Sequence, residues 1–327
     1  MKELMIKLLA LTLMLSSLMG CKAVNEVEPD SFVSGTESEE TAESTQEESS
    51  EAEEEVIDIQ MNDLSIAEQI VYDANGIKII AKRLDMSDPS YATLYFEVQN
   101  ASGKDIDCNT NYLLVNDLYL GGHVFTLGTT DCKNGETIEV CAEIPRSAMK
   151  IANIELIKDI EVSFYIEYGQ LTTGEGGTEL QSEGFFEEGT AGAVIKTNCP
   201  ESYMQEVDTA GTVLVDEQGI RVVMKDFYIT ESGYLMGSAY FENNASQLLR
   251  TRIYVHKING IEIEESGRFG VLNGYKGFGG ISLYTEAEEL GITSIESIEV
   301  SCKVYYEEGV NDVDVIPQTE PITITFK

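Results

Sequence analysis

Residues 64–327 carry one segment written twice, and this repetition constrains the fold more than any other feature of the 327-residue chain. Tyr72-Asp-Ala-Asn-Gly-Ile-Lys-Ile-Ile80 matches Val215-Asp-Glu-Gln-Gly-Ile-Arg-Val-Val223. Tyr95-Phe-Glu97 matches Tyr240-Phe-Glu242, Asn100-Ala-Ser102 matches Asn244-Ala-Ser246, and Val115-Asn-Asp117 matches Ile258-Asn-Gly260. Ile160-Glu-Val-Ser163 is identical to Ile298-Glu-Val-Ser301, and Gln181-Ser-Glu183 matches Gln318-Thr-Glu320. The matches keep their order while the offset drifts only between 145 and 137. Two copies of one unit are therefore expected, at 64–190 and 209–327, joined by a connector at 191–208.

Each copy reads as β. Gly76–Lys82, Leu94–Val98, Ile138–Ile144 and Ile160–Glu167 alternate apolar and polar residues and are rich in β-branched side chains. Ile220–Met224, Ile253–His256, Ile298–Tyr306 and Ile322–Phe326 do the same in the second copy. Asn75-Gly76, Asn134-Gly135, Asn259-Gly260 and Asn273-Gly274 are tight-turn signals between them. Short helical turns are expected near Arg146–Ile151 and Thr285–Leu290, and the Gly- and Thr-rich stretch 169–177 is expected to loop. Many short strands with closely spaced turns predict an all-β chain of two tandem immunoglobulin-like β-sandwich domains, with a barrel as the alternative.

The N-terminus sets the expected compartment. Lys2 and Lys7 precede the apolar run Leu8–Leu15 and then Ser16-Ser17, the layout of a secretory signal peptide. The run is shorter than the roughly 20 apolar residues a spanning helix needs. Leu18-Met19-Gly20-Cys21 resembles the lipobox of bacterial lipoproteins. The resemblance implies cleavage between Gly20 and Cys21 and lipidation of Cys21, hence a palmitate-bearing anchor in the cell membrane with the chain on its extracellular face. More than one acyl chain on a residue anchors it stably. The segment 21–63 is dominated by Ser, Thr and Glu, as in Thr36–Glu55, and cannot bury enough apolar surface to order itself. It is expected to be a disordered acidic tether behind the signal peptide 1–20.

The opening Asp-x-x-Gly-Ile strand, the Asn-Ala-Ser, the Val/Ile-Asn-Asp/Gly turn and the Ile-Glu-Val-Ser strand together resemble the immunoglobulin-like, telokin-like repeats of Gram-positive surface lipoproteins. That resemblance covers residues 64–327 and implies fold and location, but transfers no functional residue.

Charge narrows the partners. The chain's net charge is −37, and residues 59–327 alone hold 43 acidic against 18 basic residues. Nucleic acid is excluded as a natural partner, since phosphate binding needs clustered Lys and Arg. The expected partners are the lipid bilayer, through acylated Cys21, and an envelope or extracellular protein or polysaccharide.

No catalytic or cofactor signature stands out. The two histidines, His123 and His256, fall at non-equivalent places and read as ordinary strand or loop residues; no Gly-x-Ser-x-Gly occurs. Of the six cysteines, a disulfide is possible among Cys108, Cys132 and Cys141, while Cys199 and Cys302 remain, Cys302 aligning with Phe164 as a buried apolar position. No Cys-x-x-Cys supports a zinc site. Asp105/Asp107 and Asp312/Asp314 pair carboxylates on one face of a strand without the spacing of a calcium loop. The tyrosines, among them Tyr91, Tyr95, Tyr112, Tyr119 and Tyr165, then Tyr228, Tyr234, Tyr240 and Tyr254, read first as packing residues and second as a contact surface. Leu272–Gly280 reads as a hairpin with an exposed aromatic tip. The expected function is a non-catalytic display of two binding modules; the alternative is an envelope enzyme or accessory subunit acting on peptide or polysaccharide.

Overall fold

The computed structural model describes residues 59–326, apart from 121–124, 128–129, 175–176, 272 and 309–310. Cys21, the signal peptide, the acidic tether up to residue 58 and His123 lie outside the described residues. The first copy runs through a 3₁₀ turn at Met61–Asp63 and the strands β1 (Gln69–Ala74), β2 (Ile77–Asp85), β3 (Tyr91–Asn100), β4 (Asp105–Val115), β5 (Leu118–Tyr119), β6 (Phe125–Leu127), β7 (Asp131–Cys132) and β8 (Thr137–Pro145). Helix α1 (Arg146–Ile151) follows, then β9 (Asp159–Gly174), β10 (Gly177–Glu187) and β11 (Ala193–Lys196). The second copy comprises β12 (Thr212–Glu217), β13 (Ile220–Ile229), β14 (Tyr234–Asn243), β15 (Leu249–Ile258), β16 (Ile261–Val271), β17 (Lys276–Glu286), β18 (Ser297–Glu308), β19 (Asn311–Ile316) and β20 (Ile322–Thr325). Among the described residues no helix is long and apolar enough to cross a membrane.

The chain is all-β, and each copy is a sandwich rather than a barrel. The order β1-β2-β3-β8 of one sheet recurs as β12-β13-β14-β17. In the opposing sheet β9 pairs with β4 on one side and with both β10 and β11 on the other; β18 pairs likewise with β15, β19 and β20. The chain crosses between sheets after β3, returns to the first sheet for β6 and β8, and crosses again from β8 to β9, which is the immunoglobulin-type Greek key.

Even the irregularities repeat. Bulges sit at Ile70/Tyr72 and Val213/Val215, at Ala81/Arg83 and Met224/Asp226, and at Thr110/Tyr112 and Val255/Lys257. Asn116 and Asn259, both at positive φ in the turn after the fourth strand, make the same bonds. Each side-chain amide donates to a carbonyl (Leu156 at 2.8 Å, Ser294 at 2.7 Å), and each Oδ1 accepts two backbone N–H groups. Deeper still, the Asn100 amide donates to the carbonyls of Lys104 and Cys132, and that of Asn243 to those of Gln247 and Val271. Both asparagines are buried, so each staples otherwise orphaned carbonyls inside its sandwich.

These bonds correct two of the sequence matches. Asn100 corresponds to Asn243, not Asn244. Thr190 and Thr319 are equivalent, because the hydroxyl of each accepts the N–H of Phe164 or Cys302. Gln318 therefore corresponds to Gly189, and Gln181–Glu183 lies instead within β10. The Tyr-Phe-Glu match is likewise displaced by two residues, since Ile220 pairs with Asn243 as Ile77 pairs with Asn100. A slip of two preserves which face each side chain occupies, so the alternation could not reveal it.

Three local expectations also change. Residues 169–174 and 177–182 form a hairpin between β9 and β10 rather than a loop. The stretch 191–208 is connector only in its second half, since β11 is a strand of the first sandwich. The turn at 146–151 is helical, whereas its counterpart after Thr285 is a hydrogen-bonded turn closed by Ile292 N–H to the Ala287 carbonyl.

The two cores are filled by inward-facing aliphatic residues, with Phe96 edge-on to Phe164 and Phe241 edge-on to Phe269. The copies are fused as well as repeated. β5 pairs in parallel with β17, Leu118 with Lys276 and Tyr119 with Gly277, so one sheet of each sandwich joins into a continuous sheet. Gly277 permits the approach: a Cβ there would lie 2.0 Å from the Tyr119 carbonyl oxygen. Val223, Tyr240 and Phe278, on the outer face of the second copy's sheet, pack into the first copy's core. The Tyr240 and Phe278 rings lie 5.2 Å apart.

Candidate functional site

The fusion leaves a cleft of about 590 Å³ along the seam, lined by Asp117, Tyr240, Glu242, Asn244, Tyr275 and Lys276, with Val207 and Thr209 from the connector. A smaller hollow of about 200 Å³ continues it past Asn116, Lys158, Asp159 and Tyr203, sharing Asp117, Val207 and Lys276. Backbone register explains how these groups converge. Asp117 is the second residue of the left-handed turn between β4 and β5, at φ 62. The next residue, Leu118, lies beside Lys276, and Lys276 lies beside Glu242 on β14. The residues bearing the carboxylates of Asp117 and Glu242 therefore lie on either side of Lys276 in the joined sheet, and all three line the cleft. The row continues through Arg221 to Asp216, alternating in sign across four strands.

The aromatic groups of the seam are held by carboxylates. Tyr240 donates to Glu242 Oε1 at 2.7 Å, and burial, followed by that bond, pushes its hydroxyl well above the usual tyrosine range. Tyr112 and Tyr275 both donate to Glu161 Oε1, at 2.9 and 3.2 Å, with ring centroids 6.1 Å apart. Burial raises both hydroxyls first, and Glu161 raises them further. They remain neutral donors at physiological pH. Tyr275 is thus no exposed hairpin tip: half-buried, it bridges β17 to β9. Lys158 donates to the carbonyls of Glu201 and Tyr203, which fixes the connector over the hollow. Asp159 Oδ1 faces the same hollow, buried and without a hydrogen-bond partner.

Lys276 and Asp117 differ from these neighbours. Both are exposed, and among the described residues neither forms an ion pair, although the cleft holds charge of both signs. Among the described residues no histidine, cysteine or serine lines the cleft. Such a site can bind and orient a polar ligand.

The other candidate residues have structural partners. His256 Nε2 lies 2.8 Å from Ser301 Oγ, which also accepts from Gln318. In the first copy the bulge of the same strand pair is displaced by two positions, and its Asn111 bonds to the equivalent serine, Ser163 Oγ. The Ser–His contact is therefore a strand clamp inherited from the repeat; Ser301 is buried, and no described cavity reaches it. No disulfide joins Cys108, Cys132 or Cys141 in the structure. Cys132 lies opposite Ile106, which places Cys108 on the diagonal of the same face, and Cys141 is on the outer face of the other sheet. Burial pushes the Cys132 thiol up to about 11 and raises Cys108 further. Cys302 is a buried apolar residue, raised to about 12 by desolvation.

Asp105 accepts the N–H groups of Asn134 and Leu171 and so ties loops together. Asp107 faces Asp131 and Glu167 on the neighbouring strands, and burial and Asp107 together raise the Asp131 carboxyl. Asp312 and Asp314 are neutralised by Lys303 and Arg252. Among the described residues no group of three or more potential ligands is arranged to hold a metal. The sequence reading passed over Asp117, Glu242 and Lys276. The available signal lay in the repeat itself, where Tyr240 and Phe278 replace glutamates at outward-facing positions.

No family model matches the chain, and no curated protein matches it.

Proposed function

We propose that this chain is an exported lipoprotein, anchored through Cys21, that displays two fused immunoglobulin-like sandwiches as a non-catalytic binding head for an envelope or extracellular protein or polysaccharide. One observation carries the reading: the two copies share a sheet and a core boundary, and the cleft formed by that union holds an ammonium and a carboxylate without ion-pair partners. A mere spacer needs neither a rigid seam nor unspent charge in a cleft. The acidic tether suits the same role, because like charges extend a chain and hold its head off the membrane. The layout resembles the surface lipoproteins of Gram-positive bacteria noted above, in which such repeats follow a lipidated cysteine.

The test has two arms. Cells expressing the full chain are labelled with a palmitate analogue; label should appear in the wild-type chain and vanish with Cys21→Ser. The intact lipoprotein is then cross-linked at the cell surface, and the adducts are identified. Specific adducts are expected. Turnover of a peptide or glycan substrate by the purified chain, with no adduct formed, would sink the binding-head reading.

A further inference from the structure

Resting on that reading, we infer that the seam cleft recognises a ligand carrying a free ammonium and a free carboxylate, an amino acid or a short peptide, with Lys276 taking the carboxylate and Asp117 the ammonium. The argument is one of unpaired charge in a shaped space. Other cations pair with a carboxylate, Lys104 with Glu183 and, across neighbouring strands, Arg250 with Glu307 and Lys257 with Glu299. Lys276, at the start of β17, and Asp117, in the turn before β5, line one cleft yet form no ion pair with each other or with any described residue. Glu242, the other carboxylate in reach, already accepts the Tyr240 hydroxyl and stands between Arg221 and Lys276.

An ammonium and a carboxylate lining one cleft present two complementary contacts to a zwitterion, and each contact is charge-assisted. A cation or an anion alone would leave the opposite charge of the cleft facing a like or unpaired neighbour. The Asn244 amide and the Thr209 hydroxyl offer further hydrogen bonds, and the Val207 side chain offers apolar contact. The volume, about 590 Å³, falls in the range of small-molecule sites and accommodates a ligand of a few residues.

The intact lipoprotein, purified in detergent, is equilibrated by dialysis against a mixed-sequence tripeptide library offered in free, N-acetylated and C-amidated forms, and retention is read by mass spectrometry. Free tripeptides should be retained, with each blocking group lowering retention at least tenfold. Lys276→Met should abolish discrimination against the amide, and Asp117→Asn discrimination against the acetyl group. Both side chains are exposed, and circular dichroism checks that each variant folds. The assignment is overturned if the wild-type chain retains no peptide, or retains blocked and free peptides equally. In that case surface adducts unchanged by Lys276→Met would leave the binding head standing and place its contact elsewhere, whereas loss of adducts and peptides together with demonstrable turnover would remove both.

Discussion

The two copies share their strand order, their bulges and their buried asparagines, yet the outward face of one sheet differs in kind. In the first copy the paired outward positions are Glu97 and Glu139; in the second they are Tyr240 and Phe278. The glutamates face solvent or the sheet surface. The aromatics are 1% and 2% exposed and belong to the first copy's core. A repeat thus becomes half of a fused pair through very few outward positions, while the inward pattern that defines the fold stays untouched. The internal faces specify what each unit is, and the external faces specify what it sits against.

The largest expected effect comes from erasing that contrast. Tyr240→Glu with Phe278→Glu gives the second copy the first copy's surface and should cost about 3–5 kcal/mol per buried aromatic. Denaturant unfolding should then resolve into two transitions, and the scattering profile should broaden to that of hinged domains. A single cooperative transition would show that the seam is held elsewhere. The next effect tests what the copies share. Asn243→Ala and Asn100→Ala each leave two buried carbonyls without donors and should destabilise by about 1–3 kcal/mol, by similar amounts in each copy. A large disparity would mean that the equivalence is geometric only.

A smaller effect is confined to the first copy, which alone has the short β7 beside β4. Asp131 there faces Asp107, and burial and that neighbour raise its carboxyl above its ordinary 3.8. The folded state therefore holds this proton more tightly than the unfolded state, so the group's contribution falls as pH rises through the folded value. Asp131→Asn should raise the melting temperature near neutral pH by about a degree, since solvent screens a largely accessible group, and the gain should vanish below the ordinary value. An unchanged gain in acid would contradict the assignment. The smallest effect should come from His256→Asn, which puts the residue type of the first copy's Asn111 beside the equivalent serine. Stability should change by less than about 1 kcal/mol, and any loss of surface adducts would reopen a functional role for the histidine.

How much of this was legible beforehand follows from what each signal depends on. Strand identity was readable because alternation and β-branching are local, as in Ile77–Lys82 and Ile298–Tyr306. Duplication was readable because six short motifs recur in order. The alignment of the Asn and Gln motifs was misread, because a shift of one or two residues changes hydrogen-bond partners before it changes composition. The 169–177 stretch was misread as a loop because glycine weakens strand signals; at Gly169 its role is close approach, since a Cβ would meet the Gln181 carbonyl oxygen at 2.0 Å. The cleft was illegible for a different reason. Asp117, Glu242 and Lys276 come from three distant segments, and only the β5–β17 pairing, four backbone positions in all, brings them together.

That pairing also limits how far the architecture can grow. The edge of β17 accepts the stub β5, but the matching edge of β8 is occupied by β6. The donor is likewise spent: where the first copy offers the two-residue β5, the second builds the eleven-residue β16 along β15. Head-to-tail joining of this kind generates filaments when donor and acceptor both stay open. Here one end lacks a plug and the other lacks a socket, so the chain makes a self-terminating pair, and high concentration gives it no route to polymerise through its own seam.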